Sequence, residues 1–105
     1  MSEYMPDSWV IIKIKDIEDE ADFYKVLAGW SGSYLYGDSW RMNSGIDKVE
    51  FDGEYYSFIG QSGSVYKCHK GGNTMRMSMS GTWAKLKKHF PNNVELVGVD
   101  EIVTP

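Results

Sequence analysis

The sequence predicts an α+β fold: an antiparallel β-meander of about five to six strands with two packed helices, in a single domain spanning residues 1–105. Three observations carry this expectation. Alternating apolar runs separated by Gly-containing turns follow one another in the middle of the chain. Two other segments space their apolar residues at helical intervals. Trp, Tyr and Phe together number fifteen, enough large apolar area for a compact sheet-based core.

Taken in order, residues 1–8 read as a loose N-terminal arm. Trp9 to Ile14 is a β-branched run with apolar residues on both faces, which suits an interior strand. Asp16 then caps a predicted helix whose acidic first turn complements the helix dipole. Phe23, Val26, Leu27 and Trp30 form its buried stripe, and Gly29 and Gly32 stop it. Between Ser31 and Gly45 the alternation of Tyr34, Tyr36 and Trp40 is interrupted by Gly37 and Asp38, which predicts a broken strand or hairpin.

Val49 and Phe51 alternate with charged residues up to Asp52-Gly53, a two-residue hairpin turn. That turn pairs Phe51 with Glu54 and sets Val49, Phe51, Tyr56 and Phe58 on one face. A three-residue loop, Gln61 to Gly63 with Gly63 left-handed, pairs Phe58 with Tyr66 and Tyr56 with Cys68. Lys67 and His69 then point to the opposite face. Met75, Met77 and Met79 alternate as a fourth strand of the meander. Thr82 caps a short second helix with Trp83, Leu86 and Phe90 inward, ended by Pro91 to Asn93. Val94 to Val99 is the last strand, and 100–105 an acidic tail.

Charge is sorted along the chain. Residues 1–54 hold twelve acids and five bases, and Tyr55 to Val94 hold six bases and no acid. Residues 95–105 hold three acids, which completes the formal net charge of −4. A local positive field of this kind steers anions or an acidic protein surface. A pI near 5 argues against a general nucleic-acid binder. One cysteine, Cys68, allows no internal disulfide and fits a reducing, cytoplasmic setting. No segment reaches the roughly twenty apolar residues of a membrane span.

No constellation asks for catalysis. Cys68 and His69 are adjacent on a strand, so their side chains diverge and form no nucleophile–base pair. Gly60 to Ser64 lacks the spacing of a nucleophile elbow. Two histidines twenty residues apart and one cysteine match no metal motif, so no metal or cofactor is expected. Lys67, His69, Lys70 and Arg76, with Ser62 and Ser64 in a small-residue loop, are candidate ligands for a nucleotide or short nucleic acid.

The segments Trp40 to Ile46, Asp52 to Phe58 and Ser62 to Lys70 resemble small accessory proteins of tailed bacteriophages, over about residues 40–70. The resemblance implies an early, non-enzymatic protein in the host cytoplasm that binds a host component, to inhibit a host enzyme, to blunt defence or to sequester a defence signalling nucleotide. Two functions are thus expected as alternatives. One is a protein-binding modulator anchored by Tyr34, Tyr36 and Trp40. The other is an anion-binding module built on the basic segment. Either is compatible with a monomer or a homodimer.

Overall fold

The computed structural model describes residues 3–15, 22–30, 39–75 and 77–102. It is a mostly β protein, which corrects the expected single meander with two helices. Among the described residues, eight strands form two four-stranded sheets, and one α-helix packs on the second of them. The strands are β1 (Glu3–Tyr4), β2 (Ser8–Lys15), β3 (Asp22–Trp30), β4 (Ser39–Met42), β5 (Ile46–Phe51), β6 (Tyr55–Gly60), β7 (Val65–His69) and β8 (Val94–Val97). The helix, α1, spans Met77–His89. Sheet A runs β1-β7-β6-β5, with β1 parallel to β7, and sheet B runs β4-β3-β2-β8.

Sheet B is the middle layer. Alternation along β2 and β3 sends Trp9, Ile11, Val26 and Ala28 to one face, where they meet Phe58, Tyr66 and Cys68 of sheet A. It sends Val10, Ile12 and Leu27 to the other face, where Met79, Trp83 and Leu86 of α1 cover them. The order of layers is therefore sheet A, sheet B, α1. Trp9 ties the first two together. It is fully buried against Phe58, with ring centroids 5.3 Å apart, and its indole Nε1 donates to the carbonyl of His69 at 2.7 Å.

The helix expected to follow Asp16 is the strand β3 over its apolar part; residues 16–21, with the proposed cap, lie outside the described residues. The cause is burial on both faces. Val26, Leu27 and Ala28 are all fully buried, alternating between the two cores. A strand covered on both sides shows no polar alternation, so its periodicity cannot distinguish it from a buried helix. Gly29 ends no helix; it pairs with Ser8 and Trp40 inside sheet B.

The methionine strand is also corrected. Met79, Trp83 and Leu86 fall at i, i+4 and i+7 and bury one helical face. Thr82 lies inside α1 rather than capping it, and Phe90, expected inward, is 52 % exposed just beyond its end. Lys87, Lys88 and His89 occupy the last turn, where positive charge suits the helix dipole.

Sheet A follows the sequence reading more closely. Phe58 pairs with Tyr66 and Tyr56 with Cys68, and Gly63 has φ +92°. The β5–β6 turn is displaced by one residue. Asp52 Oδ1 accepts the amides of Glu54 and Tyr55, at 2.9 and 2.7 Å, so Gly53 and Glu54 form the turn and Phe51 faces Tyr56. The pairing shifts by two residues, an even number, and the inward face keeps the same side chains. Within the stretch read as an arm, Glu3 and Tyr4 pair with Val65 and Tyr66. Val99–Glu101 form a 3₁₀ turn where the acidic tail begins.

Candidate functional site

The layer order divides the acid-free segment. Lys67 and His69 alternate with the buried Tyr66 and Cys68, so they stand on the outer face of sheet A. Lys85, Lys87, Lys88 and His89 belong to α1, on the far side of sheet B. Two sheets separate these bases, and they do not form one surface.

The residues singled out for anion binding are spread further still. Lys67 and His69 flank Tyr55 in one cluster: the Lys67 Nζ lies 5.2 Å from the Tyr55 ring centroid, and His69 meets that ring edge-on at 5.1 Å. Lys70 opens the 3₁₀ turn after β7. Ser62 and Ser64 are in the β6–β7 turn, at the other end of the strand; five residues at about 3.3 Å each put Ser64 about 16 Å from His69. Arg76 lies outside the described residues.

Acids enter the Lys67 cluster from neighbouring strands. Glu54 Oε1 is 3.4 Å from His69 Nε2, and Lys48 pairs with Glu50 at 3.1 Å. Glu50 faces Ser57, which in turn faces Lys67. This outer face is therefore a checkerboard of both signs around Tyr55, Ile59 and Val65, which are half-buried. Among the described residues no layer covers it; α1 packs on the opposite side of the molecule.

Of the residues expected to anchor a protein, Tyr34 and Tyr36 lie outside the described residues. Trp40 is on β4, an edge strand of sheet B, and is 49 % exposed. Cys68 is fully buried, and burial pushes its thiol well above the ordinary range, so it offers no thiolate.

A second constellation was not anticipated. Where the chain crosses from sheet B to sheet A, Asn43 copies a strand residue: its amide donates to the Val26 carbonyl at 3.2 Å, and its Oδ1 accepts the Val26 amide at 2.9 Å. That fixes the side chain with Nδ2 directed away from β3. Asn43 is 4 % exposed, and Nδ2 has no partner among the described residues. An unmet buried donor of this kind costs about 1–3 kcal/mol.

Beside Asn43 opens a cleft of about 280 Å³ that Arg41, Ser44, Ser62 and Ser64 also line, with Tyr4 and Tyr66 as its aromatic wall. The Arg41 guanidinium lies 4.6 Å from the centroid of the Tyr4 ring, which in turn packs 4.9 Å from that of Tyr66. Burial raises the Tyr66 pKa, with Arg41 opposing that shift, so its hydroxyl keeps its proton at neutral pH. The signal for this cleft in the sequence was Arg41-Met-Asn-Ser44, three donor side chains and no acid, which reads on its own as an irregular turn.

A larger cleft, about 470 Å³, lies between β3 and β5 and is lined by Tyr24, Lys48 and Glu101 among others. Two of its polar groups, Tyr24 and Glu101, already meet. The Tyr24 hydroxyl donates to Glu101 at 3.1 Å, and Lys13 reaches the same carboxylate at 3.9 Å. No helix among the described residues is long and apolar enough to cross a membrane. No protein-family model matches the chain, and no match to it is found among curated proteins or solved structures.

Proposed function

We propose that this chain is a non-enzymatic binding protein that docks another protein on the outer face of sheet A. The observation that carries this reading is the mixed-sign field around a half-buried aromatic on the outer face. Tyr55 supplies a rigid amphipathic anchor between Lys67 and His69, while Glu50 and Glu54 stand in the same field. Charges of both signs favour orientation against a protein of complementary pattern and repel a long polyanion at the acids. The resemblance of residues 40–70 to phage accessory proteins supports a host protein as the partner, in the host cytoplasm.

Affinity capture from bacterial lysate at low salt, read by native mass spectrometry, tests this. Wild type retains a defined protein, and Tyr55→Ala weakens its retention tenfold or more. Lys67→Glu slows association more than it speeds dissociation, because a charge at an interface rim acts on encounter. Retention unchanged by both substitutions would overturn docking on this face.

A further inference from the structure

The cleft between the β4–β5 crossover and the β6–β7 turn has a chemistry unlike that of the mixed-sign outer face of sheet A. Its polar wall is all donor-capable. Arg41 brings a full positive charge and Ser44, Ser62 and Ser64 three hydroxyls, while the unpartnered Nδ2 of Asn43 is buried behind them. Among the described residues no carboxylate lines it. Its volume of about 280 Å³ far exceeds the roughly 30 Å³ share of one water.

The groups are positioned but unsaturated. Ser44 and Ser62 touch through their hydroxyls at 3.2 Å, and the Ser62 amide reaches Ser44 Oγ at the same distance. Hydroxyl pairs commonly bond near 2.7–2.8 Å, so the contact between the two hydroxyls is a loose one that an anion's oxygens can replace. Stacking on Tyr4 holds the Arg41 side chain in place before any ligand arrives. A carboxylate has two oxygens to offer such a wall, whereas a phosphate has three or four. Four donor groups, one of them a planar guanidinium fork, match the larger anion.

We propose that this cleft binds a phosphate group, as inorganic phosphate or as the terminal phosphate of a small ester, with Arg41 as its charge partner and Ser44, Ser62 and Ser64 as donors. Ser62 and Ser64 thus act with Arg41, not with Lys67 and His69.

Titration of the ¹⁵N-labelled full chain with inorganic phosphate, at constant ionic strength, tests the site directly. The expected result is saturable shifts gathered at Ser44, Ser62 and Ser64. Arg41→Gln should weaken binding at least tenfold while the remaining spectrum stays that of the folded chain, and Ser64→Ala should weaken it several-fold. Shifts gathered at Lys67–Lys70 or Lys85–His89, or a linear response that never saturates, would overturn the proposal. Acetate binding the same residues as tightly would overturn its assignment to phosphate. An ester such as glycerol phosphate binding more tightly than inorganic phosphate would identify the esterified form as the better ligand.

Discussion

Sheet B is covered on both faces, by sheet A and by α1, whereas the described residues cover sheet A on one. The contrast is visible along single strands. In β2, Ile11 and Ile12 are neighbours with opposite directions, and both are fully buried. In β6, Phe58 is fully buried and its neighbour Ile59 only partly so. A strand in the middle layer contributes to two cores at once, while a strand of the outer layer has a core side and a side free to be shaped by function. The largest predicted effects test this. Ile11→Ala and Ile12→Ala should each cost about 2–5 kcal/mol in urea unfolding. Phe58→Ala should cost about 3–5 kcal/mol, but Ile59→Ala only about 1 kcal/mol or less. Equal costs at Ile12 and Ile59 would mean that α1 does not cover sheet B in solution.

The same contrast decided what could be read from the sequence. Lys48, Glu50, Ser57, Lys67 and His69 alternate with apolar residues, so the β5–β6–β7 meander and its inward face were legible, including the β6–β7 register. The turn at Asp52 slipped by one residue because a carboxylate taking two backbone amides competes with an Asp-Gly turn, and sequence alone does not rank them. In β3 the two-sided burial erased alternation, and Phe23, Val26, Leu27 and Trp30 matched a helical stripe by coincidence of spacing. Met75, Met77 and Met79 gave the opposite error. Methionine is a good helix former, and the partners that decided its state, Ile12 and Leu27, are more than forty residues away. The Arg41 cleft was illegible for a related reason: Arg41 and Asn43 meet Ser62 and Ser64 only through the crossing between sheets.

Glycines sharpen the comparison at a smaller scale. Gly63, in the turn of the outer sheet, has φ +92°, and an added Cβ would meet nothing within 4 Å. Gly63→Ala should therefore cost about 1 kcal/mol through backbone strain alone. Gly81 lies inside α1, also with open space around an added Cβ, but in ordinary helical backbone. Gly81→Ala should stabilise the protein by about 0.5–1 kcal/mol, as it raises helix propensity in the layer that closes the second core. Thermal unfolding of the two variants should move in opposite directions. A loss at Gly81 would place that residue in a close contact within the α1 layer.

The smallest predicted effect lies at the tip of sheet A, where the open side ends in the Asp52 turn. The amides of Tyr55 and Glu54 donate to the Asp52 carboxylate, and Lys67 adds a weaker attraction; together they hold its pKa below the ordinary 3.8. Because the folded value is the lower one, the ionised carboxylate favours the native state throughout the range above 3.8. That contribution fades as pH falls below 3.8 and through the folded pKa. Asp52→Asn keeps a side-chain acceptor but has no charge to lose. Its deficit relative to wild type should be constant from neutral pH down to about pH 4, then shrink as wild type is protonated. Unfolding curves for the pair, measured at neutral pH and again near pH 2, check the convergence. The site is open to solvent, so added salt should weaken only the Lys67 share of the effect and leave the two backbone bonds in place. A deficit that stayed constant to pH 2 would mean that the turn is held by Gly53 and the strand pairing alone, and that the carboxylate is an onlooker.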